Sequence, residues 1–429
     1  MPNYPSQMRF DDTRPEHEHG YVYGARARPP GASSNARPWL FAVAGASLLG
    51  AAFAAVSTSD FIQHLDRQVH SIHCSVIPGA SADIGESGCR TVMMSPYSSL
   101  LRDLFWGGIP ISLLALAVFA YLAARALSFG LKDDTSRRET GYVLLATCLP
   151  ALMSLVYGVI SATKVGAACT NCVGIYVAST LVLIFAFVAH QKAPATSSSG
   201  VLPTWAGWFS VGVGYVALLA VLYIGFAPTE QDPAKGCGTL VQRADPSGVL
   251  LRIAGRDGGA EALAVLDPLC PACRAFDQRL EASGLLGQLQ LDGVLFPLDA
   301  SCNWMVKKSL HPGACAVSEA MLCDKERAPD ILAWAFDEQE SLLAEAKEDE
   351  RKLRRHIEEQ FPSVKGCLGS PKAKNKLNKS LRFAVANALP VLTPQLFIGE
   401  RRVCDEDTDL GLEYTVARML EAQAKGRGR

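Results

Sequence analysis

The chain has 429 residues, with 41 Lys or Arg against 42 Asp or Glu, and the formal net charge of -1 excludes the electrostatic attraction on which nucleic-acid binding rests. That length accommodates two or more domains, and the charge is spread so unevenly that those domains belong in different solvents. Charged residues are nearly absent from five stretches between Pro38 and Ala227 and abundant from Asp232 onward, so a membrane half precedes a soluble half.

Residues 1–37 are polar and Pro-rich and read as a disordered cytoplasmic tail, in which His17 and His19 are more simply solvated than a metal site. The first apolar run follows this tail and is long, which marks an uncleaved anchor rather than a secretory signal. A helix needs about 20 apolar residues to cross hydrocarbon, where only internal hydrogen bonds can satisfy its backbone. Five segments qualify: 39–57, 107–124, 142–163, 169–189 and 205–227, with Trp39, Trp106, Trp205 and Trp208 as interfacial anchors and Pro150 inside the third. Arg26, Arg28 and Arg37 precede the first, Lys132, Arg137 and Arg138 join the second to the third, and Lys192 follows the fourth. Positive flanks stay in the cytoplasm, which places the loop 59–106, the turn before Cys169 and everything after Ala227 on the outer face. Residues 191–203, with Ser197, Ser198, Ser199 and Gly200, read as a flexible connector, and no internal repeat suggests a transporter.

On this topology nearly all of the 13 cysteines lie outside the cytoplasm, as suits an oxidising compartment. Cys169-Thr170-Asn171-Cys172 opens the fourth span. Unpaired N–H groups and the helix dipole there stabilise a thiolate, and two cysteines on one turn can close a reactive disulfide that a lipid-soluble quinone reaches from the bilayer. A structural pair or a metal half-site is the alternative, weakened because no histidine lies nearby and two ligands hold zinc poorly. Cys148, inside the third span, reads as a packing residue.

The loop between the first two spans carries Cys74 and Cys89, then Ser95, then Phe105-Trp106-Gly107-Gly108-Ile109-Pro110. A loop cysteine pair, a hydroxyl residue shortly after it and a CxxC opening the fourth helix together resemble vitamin K epoxide reductase and its bacterial homologues, over roughly residues 39–190. The resemblance implies that Cys74/Cys89 shuttles electrons to Cys169/Cys172, that Ser95 helps hold a quinone, ubiquinone or menaquinone, and that Cys172 faces it while Cys169 exchanges with the loop.

In the soluble half, residues 263–266 read as a buried strand, and Asp267-Pro268-Leu269-Cys270-Pro271-Ala272-Cys273 as a turn entering a helix. This looks like thioredoxin-fold chemistry: Cys270 exposed at a helix N-terminus with a lowered pKa, and Cys273 resolving the mixed disulfide from within the helix. Residues 391–399 contain Thr393-Pro394, which resembles the Thr-cis-Pro strand that faces such a CxxC. A zinc knuckle is the alternative, and the strand before and Thr-Pro after argue against it. The interval reads as helix at 314–323, 329–339 and 341–361, an insertion like that of the DsbA branch. Pro271-Ala272 lacks the histidine that branch carries between its cysteines, so a milder oxidant is expected. His311 reads as a loop or capping residue, and the run Lys372, Lys374, Lys376, Lys379 as a solvated loop or helix face. Six further thiols allow 15 pairings. The spacing suggests Cys302 with Cys315, Cys323 with Cys367 and Cys237 with Cys404.

The expected architecture is an α-helical membrane bundle, a four-helix vitamin K epoxide reductase-like core plus a fifth linking helix, followed by an α/β thioredoxin-like domain with a helical insertion. Its parts are the tail 1–37, the membrane domain 38–190, the linker and fifth helix 191–227, and a periplasmic domain 228–429. The expected function is a quinone-dependent thiol oxidase of the inner (cytoplasmic) membrane. Electrons would pass from secreted or periplasmic protein thiols through Cys270/Cys273, Cys74/Cys89 and Cys169/Cys172 to the membrane quinone pool. The rivals are a disulfide reductase or isomerase working the other way, which would need a cysteine pair reachable from the cytoplasm, and a non-catalytic membrane-anchored thioredoxin-like binding module.

Overall fold

The computed structural model describes residues 35–65, 88–133, 135–195, 200–228 and 232–427. Most of the 1–37 tail, Cys74 and the connector serines Ser197, Ser198 and Ser199 lie outside the described residues.

Five helices are long and apolar enough to cross a membrane, which fits a multi-pass membrane protein. Helix α1 (Arg37–Leu65) leads to a short α2 (Gly88–Met94), a two-residue hairpin of β1 (Ser99–Leu100) and β2 (Ile109–Pro110), α3 (Ile111–Gly130), α4 (Arg137–Ile160), α5 (Thr170–Lys192) and α6 (Val201–Phe226). Helices α1, α3, α4 and α5 bury Leu40, Val43, Phe119, Tyr142 and Val182 together, whereas α6 buries only Gly212 and Tyr223.

The helix ends correct the spans read from apolarity, because apolar length marks hydrocarbon while backbone hydrogen bonds set the helix. The second span does not begin at Gly107: Gly107 and Gly108 take φ of +73° and +72°, and β2 must pass before Pro110 can hand over to α3. Helix α4 begins earlier than 142, since Ser136 caps it, accepting from the Arg138 N–H at 3.3 Å while the Glu139 carboxylate accepts the Ser136 N–H at 3.0 Å. A π turn (Ser161–Val165) continues it to Gly166. Helix α1 runs past 57 to Leu65 because Phe61 and Leu65 pack against the C-terminal half.

After α6 the chain folds into a mixed α/β region: β3 (Leu251–Gly255), β4 (Ala260–Leu266), α7 (Pro271–Ala282), β5 (Leu289–Leu295), α8 (Ala314–Cys323), α9 (Ala328–Asp337), α10 (Gln339–Glu348), α11 (Glu350–Gln360), α12 (Pro371–Ala386), β6 (Gln395–Ile398), β7 (Arg401–Arg402) and α13 (Leu412–Arg427). The helix expected over 341–361 is two, broken where Asp349 is extended and caps α11 through the Arg351 N–H at 2.9 Å. The lysine run lies on α12, where Lys372, Lys374 and Lys379 are exposed and Lys376 donates to the Leu322 carbonyl at 2.9 Å. The sheet order is β3-β5-β4-β6-β7, with β4 parallel to β5 and antiparallel to β6. Both faces of β4 are covered: Ala262, Ala264 and Leu266 face one core, Leu263 and Val265 the other. The disulfides Cys302–Cys315, Cys323–Cys367 and Cys237–Cys404 are all present, in the pairing read from the spacing.

The two halves dock at the end of the bundle that carries Cys169. Phe61, Leu65, Met94 and Trp106 of the membrane half bury with Leu410. Gly411 lies so close to Trp106 that a Cβ there would stand 2.3 Å from the indole Nε1. At the centre is a buried ion triad. Glu413 of α13 accepts from Arg102 Nη1 at 3.0 Å and from Arg279 Nε and Nη2 at 3.1 and 2.7 Å, with side-chain exposures of 8% and 1% for the arginines and 2% for the carboxylate. Arg279 also donates to the Met94 carbonyl at 3.3 Å and Arg102 to Ser95 O at 3.1 Å. Burial and the facing Arg279 bring Arg102 down to about 10, so Arg102 keeps its charge at neutral pH. His64 pairs with Asp409 at 2.8 Å beside it.

Candidate active site

Cys169 is the N-cap of α5, and its sulfur accepts the Cys172 N–H at 3.3 Å. That contact turns the free donors of a helix start onto a sulfur, the arrangement that favours a thiolate. Cys169 and Cys172 are free thiols, the first buried and the second half-buried. Cys89 is buried and disulfide-bonded. Gly88 presses against the backbone before Cys169: a Cβ on it would lie 2.1 Å from the Ala168 carbonyl oxygen, so only glycine lets α2 seat there.

Cys89, Ser95, Cys169 and Cys172 all open onto one cavity of about 700 Å³ between the helices. Its walls are mainly apolar, with Asp60, Ser95 and Asn171 among the few polar groups, and it reaches along the bundle to Tyr121 and Tyr142. Size and lining suit a flat apolar ligand fixed by a few polar atoms. Ser95 donates its hydroxyl proton to the Val92 carbonyl at 2.7 Å, leaving its oxygen to accept rather than donate.

In the C-terminal half, Cys270 is the N-cap of α7 and Cys273 lies in its first turn, both as free thiols. The Thr393–Pro394 bond is cis and brings the Thr393 carbonyl to 3.7 Å from Cys270 Sγ. Cys270 is not exposed, as the sequence suggested, but 4% exposed, because the chain around Thr393 covers it. The hydrogen bond from Cys273 outweighs burial and brings the Cys270 thiol down to about 7, with the Asp267 charge opposing and His311 assisting. Burial and the adjacent Cys270 push Cys273 well up. One thiol is therefore the more readily ionised and the other keeps its proton. Neither lines the cavity, but α7 overlies the turn before Cys169, with Arg274 Nη2 at 4.0 Å from where a Cβ of Gly166 would stand.

Residues 41–187 match the family model described as the Vitamin K epoxide reductase family. This stretch is a vitamin K epoxide reductase family domain. The match runs from within α1 to within α5 and includes Cys89, Ser95, Cys169 and Cys172 of the cavity. Members of the family are oxidoreductases that use quinones, so a quinone-linked disulfide redox function follows for this domain. Comparison with curated proteins and with solved structures gives no match.

Sequence reasoning missed the docking residues Arg102, Arg279, Glu413, His64 and Asp409, since their partners lie far away in the chain and meet only when the fold brings the halves together. It also missed Asp267, whose side chain pairs with His311 at 2.8 Å.

Proposed function

We propose that the chain is a quinone-dependent thiol oxidase of the inner (cytoplasmic) membrane, in which a thioredoxin-like C-terminal domain, periplasmic and with a DsbA-like helical insertion, feeds the vitamin K epoxide reductase domain. The observation that carries this reading is that both CxxC pairs open helices at the same end of the bundle, with Gly88, next to Cys89, seated against the backbone that leads into Cys169. The strand β4, the turn through Cys270, the helix α7 and the cis-Pro394 facing them support the thioredoxin-like assignment.

Each step is attack of a thiolate on a disulfide, which conserves the total of thiols and disulfides. A substrate dithiol becomes a disulfide as Cys270–Cys273 is reduced to two thiols. Cys270, held partly ionised, then attacks the Cys74/Cys89 disulfide and Cys273 releases it, regenerating Cys270–Cys273. The loop dithiol reduces Cys169–Cys172 in turn, with Cys169 in exchange and Cys172 toward the cavity. A quinone, ubiquinone or menaquinone, supplies the sink by accepting two electrons and two protons there. The protein's own part is to hold both sulfurs on one helix turn and to wall off water with apolar side chains, while the Ser95 oxygen, its own proton given to Val92, is placed to accept from a hydroxyl of the reduced, hydroquinone form rather than to donate to a quinone carbonyl. Joining the two halves replaces a bimolecular encounter with one at an effective concentration on the order of mM.

The opposite direction, a reductant fed from the cytoplasm, is disfavoured because Cys148, exposed on α4, is the single free cysteine outside the two CxxC pairs among the described residues. The test is quinone-dependent oxidation of a reduced peptide by membranes that contain the protein. Cys172→Ala is expected to bring it to background with the chain still folded; full turnover would overturn the relay.

A further inference from the structure

We propose that His311, held against Asp267 by the loop that the Cys302–Cys315 disulfide closes, is a positioning residue that sets a positive charge beside Cys270 and so makes the Cys270/Cys273 pair more oxidising. This rests on the reading of Cys270/Cys273 as a redox pair. Pro271-Ala272 offers no cation between the two cysteines. The charge arrives instead from a distant part of the chain.

Asp267, in the turn into α7, is wholly buried. Its Oδ1 accepts the Leu269 N–H at 2.8 Å, and its Oδ2 accepts the Leu298 N–H at 2.7 Å and meets His311 Nδ1 at 2.8 Å. One carboxylate thus ties the Cys270 turn to the end of β5 and to the His311 ring. The loop that presents the ring is itself fixed. Asp299 accepts from Ser301 N and Ser309 Oγ through Oδ1 at 3.1 and 2.9 Å, and from Gly313 N through Oδ2 at 3.0 Å, and the disulfide bridges residues 302 and 315. A capping role does not explain the ring. Helix α8 has Gly313 as its N-cap with no side-chain cap, and His311 serves that end only through its backbone, whose carbonyl accepts the Ala314 N–H at 3.2 Å.

The groups that face the pair are Asp267 from the turn, Cys273 from α7, Asp299 from the same loop as His311, and the Thr393 carbonyl before β6. Burial works against charge on His311, but Asp267, then Cys270 and Asp299, outweigh it and raise the ring above its ordinary value. A protonated ring stabilises the dithiol state, which carries the thiolate, over the disulfide, which carries none. The pair's oxidising power should weaken as pH rises and His311 loses its proton.

The test uses the full chain in detergent, reduced, with iodoacetamide alkylation of Cys270 followed by peptide mass across the pH range. The wild-type midpoint is expected at about 7. His311→Gln keeps a donor for Asp267 and removes the charge. It is expected to move the midpoint up, to slow alkylation at neutral pH roughly two- to fivefold, and to shift the equilibrium with glutathione toward the disulfide by a similar factor. His311→Lys restores a charge and should move the midpoint back. A merely structural role would lower the unfolding temperature and leave the midpoint in place, or move it the same way in both variants, and either result overturns the proposal. Should neither variant fold, hydrogen–deuterium exchange at the His311 ring carbon decides in the unaltered chain, because coupling is reciprocal and alkylating Cys270 must lower the ring's titration. An unmoved titration overturns the proposal. No readout needs quinone or substrate, so a chain inert as an oxidase still answers.

Discussion

Cys169 and Cys270 occupy the same local position, each the N-cap of a helix with a second thiol in its first turn, but their surroundings are built on opposite plans. Around Cys169 and Cys172 lies an apolar cavity, so reactivity there depends on the helix start and on what the cavity holds. Around Cys270 the protein supplies the environment itself, with Asp267, His311 and the chain at Thr393 packed against the turn. On the proposed function, one site is tuned by what its cavity binds and the other by its own side chains. A redox pair that must meet many protein thiols needs a fixed poise, whereas a pair that ends at a membrane carrier can leave the driving force to that carrier.

The sharpest way to break this comparison is to remove one site at a time. Cys172→Ala should stop quinone reduction with every thiol donor, whereas Cys270→Ser should stop it with a reduced protein and spare it with a small dithiol that enters the membrane half directly. Oxygen uptake with the two donors reads both. If Cys270→Ser silences the small dithiol as well, the sites are not separable in this way.

A smaller effect is expected at the junction. Glu413→Gln leaves Arg102 and Arg279 facing each other without their carboxylate, and loss of one partner from a buried ion group costs about 3–5 kcal/mol. Oxidation of a reduced protein should fall while small-dithiol turnover holds, and limited proteolysis between the halves should accelerate. Equal protein-thiol turnover would show that docking is not part of the handover. The mildest effect is the pH response. Because Cys270 ionises at about 7, transfer from it in single turnover should lose roughly tenfold per pH unit below that value. Entry of a small dithiol at Cys169/Cys172 should not follow that midpoint.

Much of the arrangement was readable from sequence because its signals are local. Five apolar runs give five helices, Cys169/Cys172 and Cys270/Cys273 fall where a helix must start, and Cys302–Cys315 closes a short loop, whereas Cys323–Cys367 and Cys237–Cys404 join cysteines 44 and 167 positions apart. What escaped was what two distant segments make together. Glu413 sits on a helix that reads as amphipathic surface, and nothing nearby announces Arg102, 311 positions away. His311 looked like a loop residue because its partner lies 44 positions upstream in another turn. Cys270 looked exposed because, although Thr393-Pro394 was expected to face it, a sequence does not show how closely that segment, 123 positions later, covers the sulfur.

The triad at the junction also governs how the two halves can come apart. A carboxylate shared by two guanidinium groups, with Trp106 packed against Gly411 beside it, has no comfortable halfway arrangement. A small slip strands a charge without solvent, while full separation hands all three groups to water. The contact is expected to behave as a latch with closed and open positions rather than as an elastic tether. On the proposed relay, visits by outside proteins to Cys270 and handover to the loop cysteines would then alternate, which would keep the chain from presenting its reduced thiols to both sides at once.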